Sequence, residues 1–169
     1  MDLEDDHPSP EELESRPPTV EDLLDLCRQL NEKGADYMVI GGFAMRAAGY
    51  ERATIDIDLL IDTSPENESK VFSALESLPD KAVSELKVGE VARYTVVRVA
   101  DEIVVDLMKS AGGVQIEEAL KDVVLMDVEG VTIPFASPRL LWRMKKNTHR
   151  EKDASDLIFL QHLFEQDDR

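Results

Sequence analysis

Asp56 and Asp58 stand two residues apart inside Thr54-Ile-Asp-Ile-Asp-Leu-Leu-Ile61, a run that is otherwise almost entirely aliphatic and β-branched. Alternate residues of an extended strand share a face, so the two carboxylates point the same way and can reach one cation. Carboxylates in such a run are costly to bury unless something compensates them. Ile103-Val-Val-Asp-Leu-Met108 repeats the pattern with a single acid, Asp106. If the two strands are neighbours, three negative charges converge. That arrangement raises a pKa or recruits a hard, oxygen-preferring cation such as Mg²⁺. A solvent-exposed acidic face is the other reading of either strand taken alone. Acids at the same two-residue spacing also recur elsewhere in the chain, at Glu4/Asp6, Glu66/Glu68 and Glu151/Asp153.

Gly41-Gly42 lies upstream, between an apolar run and a short helical stretch. Such a turn lets backbone N–H groups approach a phosphate, although a glycine pair alone is commonly just a turn. Downstream, residues 139–152 hold six bases (Arg139, Arg143, Lys145, Lys146, Arg150, Lys152) and one acid, Glu151. On a helix Arg139, Arg143 and Lys146 share a face, which is either a solvated basic surface or an anion contact. The three histidines, His7, His149 and His162, are scattered, and no spacing suits zinc. Cys27 falls on the apolar face of a helix and reads as core.

The elements that must position these residues follow from periodicity and punctuation. Thr19-Val-Glu-Asp22 has the form of a helix cap, and Val20, Leu23, Leu24, Leu26, Cys27 and Leu30 follow at helical spacing up to Gly34. Strands are predicted over 36–40 and 54–61, with a short helix over 43–48 between them. Ser64-Pro65 opens a helix running through Leu78. Strands over 93–100 and 102–108 form a hairpin about Ala100-Asp101, and 123–128 with 131–135 form another about Glu129-Gly130. Short helices are predicted over 115–121 and from Ser137-Pro138 to about 147, and a longer one over 151–164. The order describes one α+β domain, a small mixed sheet flanked by helices, with helices at its C-terminal end.

Charge sets further bounds. The 169 residues carry 36 acids against 19 bases, a formal net charge of −17. So acidic a chain repels phosphate backbones over most of its surface and is a poor non-specific nucleic-acid binder. Residues 1–25 hold ten carboxylates and one base, and four prolines fall within residues 8–18. Residues 1–18 therefore read as a mobile acidic tail preceding a domain over 19–165, either solubilising or docking on a basic partner. A single cysteine excludes an intrachain disulfide framework. No apolar run approaches the roughly 20 residues that span a bilayer, and the first residues lack a signal peptide's basic and apolar regions. The expectation is a soluble, cytoplasmic protein without a membrane partner.

Taken in order, Ile40-Gly41-Gly42-Phe43-Ala44, then Arg52-Ala-Thr54-Ile-Asp56-Ile-Asp58-Leu, then Asp106 resemble the nucleotidyltransferase fold of DNA polymerase beta and its small relatives. That pattern is a Gly-Gly or Gly-Ser turn, a short helix, an Asp-x-Asp strand and a third Asp downstream. Leu140-Leu-Trp-Arg-Met-Lys145, with Arg150-Glu-Lys-Asp153 and Asp156-Leu, is similar to the AbiEii-type nucleotidyltransferases, which include toxins of toxin–antitoxin and abortive-infection systems. Together the matches cover about residues 36–160. One departure is Gly42, which stands where many active members carry serine and so lacks one hydroxyl contact to the triphosphate. Gly-Gly variants are common in the AbiEii-like branch.

The resemblance implies transfer of a nucleoside monophosphate from an NTP such as ATP to a hydroxyl, with two Mg²⁺ per site. It implies that Asp56 and Asp58 bridge both metals and that Asp106 completes the nucleophile-side one. Gly41 and Gly42 would cradle phosphate oxygens, while Arg52 and Thr54 position the strand or contact the nucleotide. Lys145 would contact the triphosphate within the motif that includes Arg150 and Asp153, with Asp153 and Asp156 either orienting it or capping the last helix. The implied acceptor is a tRNA end or a protein side chain, and the implied partner a cognate antitoxin. A small-molecule (antibiotic) hydroxyl on the same fold is a second enzymatic reading. A nucleotide-binding protein without turnover is a third, against which the three intact acids argue.

Overall fold

The computed structural model describes residues 14–167, so most of the expected acidic tail lies outside the described residues. The part of it that is described is held against the domain. Ser15 Oγ donates to the Asp101 carbonyl at 2.7 Å, and the Arg16 amide donates to the Glu102 carbonyl at 3.0 Å. The Arg16 guanidinium also forks onto both oxygens of Asp22, at 2.7 and 2.8 Å.

Helix α1 (Val20–Lys33) starts where the cap predicts. Thr19 Oγ1 accepts from the Asp22 amide, and the Thr19 amide donates back to the Asp22 carboxylate. The helix ends in a left-handed Gly34, and its Leu23, Leu24, Leu26, Cys27 and Leu30 are buried. Strand β1 (Tyr37–Ile40) runs directly into α2 (Gly41–Ala47), and a loop leads to β2 (Asp56–Ile61). Ser64 caps α3 (Pro65–Leu75), which stops three residues short of the expected Leu78. Asn67 on α3 is buried and bonds Asp36 through both its amide oxygen and its nitrogen, tying α3 to the start of β1.

Two features between residues 76 and 96 are not predicted by periodicity: a 3₁₀ turn over Ala82–Glu85 and α4 (Glu90–Arg93). The strand expected from 93 starts later, so β3 is Val97–Ala100, followed by β4 (Val104–Met108). Their connection is organised by Asp101, a buried carboxylate that accepts from the amides of Asp80, Ala82 and Glu102. A small ribbon, β5 (Ser110–Ala111) with β6 (Val114–Gln115), was likewise not anticipated. Then come α5 (Ile116–Ala119) with a 3₁₀ turn, the hairpin β7 (Val123–Val128) and β8 (Val131–Ala136), α6 (Pro138–Lys145) and α7 (Glu151–Asp167).

Six strands form one mixed sheet in the order β3-β4-β2-β1-β8-β7. β2 is parallel to β4 and antiparallel to β1, which pairs parallel with β8. Helix α1 packs against α3 and β8, while α2 packs against β1, β2, β8 and α6, and α6 against α7. This is the α+β architecture expected, a mixed sheet flanked by helices with helices at the C-terminal end. The feature that matters for chemistry is the central place of β2 and β4. Ile57, Leu59 and Ile61 alternate with the acids and are fully buried on the opposite face, which fixes the strand's register.

Candidate active site

The neighbour relation on which the three-acid reading depends is present. β2 and β4 pair in parallel with Asp58 opposite Asp106 and Asp56 opposite Val104. The sheet therefore delivers all three side chains to one face, and one oxygen from each of Asp56, Asp58 and Asp106 lies within 4.8 Å of the others. Asp56 and Asp58 are half-buried and Asp106 is buried.

Such crowding has an electrostatic cost. Burial first, and then the charges of Asp56 and Asp106, push the Asp58 carboxyl well above its ordinary range. Lys145 and Arg98 pull it back without cancelling the rise. Hard oxygen donors at mutual distances below 5 Å, with a charge excess that favours protonation, match what a small divalent cation requires of its ligands. The residues present therefore fit the metal that the resemblance implies.

Gly41 has a visible reason to be glycine. It is the first residue of α2, with φ +68°, and a Cβ there would lie 2.0 Å from Asp58 Oδ2. The missing side chain is the space in which the Asp58 carboxylate sits. Gly42 is packed differently, since a Cβ on it would meet Thr54 Cβ at 2.9 Å. Thr54 is buried, and its hydroxyl donates to the Asp56 carbonyl at 2.8 Å. Of the two roles expected for Thr54, the strand-positioning one is what this geometry displays.

The remaining predicted residues form a second cluster, centred on α7. Lys145 Nζ lies 3.1 Å from both Asp153 Oδ1 and Asp156 Oδ2, and all three side chains are largely or wholly buried. Arg52 places its guanidinium on the other side of Asp156, 3.1 Å away, so Asp156 bridges the chain before β2 to the end of α6. Thr148 donates to Asp153 Oδ2 at 2.7 Å, and Arg150 Nε stands 3.9 Å from the same oxygen. Asp153 and Asp156 thus orient Lys145, and α7 carries no side-chain cap from them. Arg52 reaches Asp156 and is pinned there. Because Lys145 lowers the Asp58 pKa, the two clusters share one electrostatic field.

Sequence reasoning missed Arg98. Its Nε and Nη2 donate to the two oxygens of Asp106 at 2.8 and 2.9 Å, and Nη2 lies 3.7 Å from Asp56 Oδ2. A lone base in the apolar strand Val-Arg-Val-Ala was the available signal. It becomes informative only with the β3–β4 register, which sets Arg98 opposite Asp106.

Comparison with curated proteins finds no match. Among solved structures, the chain is similar to an antigenic nucleotidyltransferase-like protein from Paracoccidioides brasiliensis, at 17% identity over 85% of this chain and 76% of that one, with a TM-score of 0.49. A family model described as "Nucleotidyl transferase of unknown function (DUF2204)" matches residues 19–168, nearly the whole chain. The protein that brings Asp56, Asp58 and Asp106 together on β2 and β4 belongs to that nucleotidyl transferase family.

Proposed function

We propose that the protein transfers a nucleoside monophosphate from a Mg²⁺-bound NTP to a hydroxyl acceptor. The observation that carries this reading is the convergence of Asp56, Asp58 and Asp106 within 4.8 Å, at a site whose own charge is in excess. Bound Mg²⁺ supplies charge neutralisation of the triphosphate and activation of the attacking hydroxyl. Asp56 and Asp58 would hold the metal from alternate positions on one face of β2. Asp106 Oδ1 or Oδ2 takes up the acceptor's proton as the new oxygen–phosphorus bond forms at the α-phosphate. The bond to the β-phosphate breaks, and pyrophosphate leaves with the electron pair. Gly41 leaves room for the Asp58 carboxylate and Gly42 packs on Thr54, and the backbone of this turn would lie against phosphate oxygens. An ammonium has three donors; Asp153 and Asp156 engage two of those on Lys145, and the third would be left for a phosphate. Arg150 adds positive charge beside Asp153.

For the acceptor we favour a tRNA end or a protein hydroxyl, in a cytoplasmic toxin–antitoxin setting with a cognate antitoxin as partner. The support is the resemblance of residues 140–157 to the AbiEii-type enzymes. No helix among the described residues is long and apolar enough to cross a membrane. The test incubates the protein with each α-labelled NTP, Mg²⁺ and either total tRNA or cell lysate, with Asp106→Asn as control. Mg²⁺-dependent label in RNA or in protein bands, lost in the variant, is expected. Label confined to a low-molecular-weight product would move the assignment to a small-molecule acceptor. Bound NTP with neither label transfer nor pyrophosphate release would refute transfer and leave a nucleotide-binding protein.

A further inference from the structure

Arg98 is a cation already seated where another cation is needed. It comes from β3, the edge strand beside β4, and its fork engages both oxygens of Asp106. The same guanidinium approaches Asp56 to 3.7 Å. Two of the three carboxylates are therefore bridged by one side chain. The competition is one of charge and crowding. Each carboxylate oxygen keeps a second lone pair, but a guanidinium seated on both oxygens of Asp106 and near Asp56 repels a divalent cation brought to the same carboxylates. The Asp106 end of the pair is buried, with a side chain 6% exposed, whereas the Arg98 side chain is 37% exposed and has room to swing outward. The strand backbone need not move.

We propose that Arg98 is an internal counter-ion that competes with the divalent cation for Asp106 and, on release, pairs with the anionic nucleotide. This rests on the nucleotidyl-transfer reading of the same site and adds a coupling to it. Without nucleotide, Arg98 has Asp106 and Asp56 as partners, and metal affinity is weakened by the equilibrium that favours them. A triphosphate offers the guanidinium an alternative bidentate partner. Metal and nucleotide then each favour the swung-out Arg98, so each tightens the other by the same factor. In the cation-free site Arg98 offsets part of the negative excess, and loading of metal and nucleotide becomes concerted. Arg98 is thus a positioning residue whose chief effect is on binding.

The test measures Mn²⁺ binding by the loss of its free EPR signal, in wild type, Arg98→Met and Arg98→Lys, with and without a non-hydrolysable ATP analogue. Methionine fills similar volume with no charge, while lysine keeps the charge and loses the fork. Without nucleotide, Arg98→Met is expected to bind Mn²⁺ about tenfold tighter or more than wild type, as the loss of a charge-assisted bidentate contact implies. Arg98→Lys should fall between them. The tightening of Mn²⁺ by the analogue should shrink in Arg98→Met. Arg98→Met binding Mn²⁺ no tighter than wild type, while both bind, overturns the counter-ion role and leaves nucleotidyl transfer standing. Absence of Mn²⁺ binding in all three proteins, with and without the analogue, overturns both.

Discussion

Replacing Asp58 with asparagine should make the cation-free protein more stable. The three carboxylates share an oxygen separation of at most 4.8 Å, at which two unit charges repel by about 3.5 kcal/mol for an effective dielectric near 20. Asp58 takes part in two such pairs, partly offset by Arg98 on Asp106 and by Lys145, so a net gain of about 1–3 kcal/mol is expected from the neutral isostere. For a chain of this size that is a rise in Tm of roughly 3–10 °C. The pH dependence fixes the cause. Asp58 titrates higher in the folded protein than the ordinary value of 3.8, so its ionisation weakens the native state. That penalty is absent well below pH 3.8, where the carboxyl is protonated in both states, and it grows as the pH rises from there to the folded pKa. The gain in Asp58→Asn should therefore be much larger at pH 7.5 than at pH 3, where it vanishes. Thermal melts in EDTA at both values read it directly, and Mg²⁺ should stabilise wild type but not the variant. An asparagine variant no more stable than wild type at pH 7.5, or equally stabilised at both pH values, would refute the charge-crowding argument.

Gly41→Ala should cost far more than Gly34→Ala, although the two backbones share nearly the same φ, because only at Gly41 does the new Cβ strike a side chain, Asp58. Denaturant melts should show about 1 kcal/mol of left-handed strain at Gly34 and several-fold that at Gly41, with loss of Mn²⁺ binding at Gly41 alone. Lys145→Ala leaves Asp153 and Asp156 buried with less compensation, so a destabilisation of about 3–5 kcal/mol is expected by chemical denaturation, and Lys145→Arg should recover part of it. The Arg16 fork holds Asp22 at a pKa of about 2. Its stabilisation is present above pH 3.8 and lost as the pH falls through 2, and Arg16→Ala should return the Asp22 carboxyl toward 3.8 in an NMR titration.

The helix ends were legible in the sequence because each is written in local chemistry: Thr19 with Asp22, Ser64 with Pro65, Ser137 with Pro138. The three acids were legible because a charge inside an aliphatic strand is costly and so stands out. Arg98 was not, and the reason is one of register. A tight turn at Ala100-Asp101 would place Arg98 short of Asp106, whereas the real connection spans 101–103 and sets the two opposite. Its form depends on Asp101 accepting amides from residues 80 and 82, a long-range arrangement that no local pattern encodes. Gly41 and Gly42 illustrate a subtler limit. Both were read for what they would admit from outside, yet the atoms nearest their absent side chains belong to Asp58 and Thr54.

The basic stretch changes meaning in the folded chain. Of its six bases, Arg139 lies over the Phe164 ring at 4.8 Å, and Arg143 pairs with Glu118 and Asp122. Lys145 and Arg150 are engaged by Asp153 and Asp156, as described above. Lys146 and Lys152 alone, among the described residues of that stretch, have no ion pair or ring contact. Two lysines would give a salt slope of only about −1.4 on a single strand, too shallow for an extended RNA footprint. The same accounting applies to Arg98 and Arg52, both held on carboxylates. In a chain of net charge −17, the cations nearest the site, Arg52, Arg98, Lys145 and Arg150, are held on the acids that shape it. On the proposed reading, phosphate would be met chiefly by metal at Asp56, Asp58 and Asp106, and by whichever guanidinium or ammonium that metal would release. Under the nucleotidyl-transfer proposal, this distribution of charge favours an acceptor that would be gripped at its reacting end, beside the metal and triphosphate, rather than along its length.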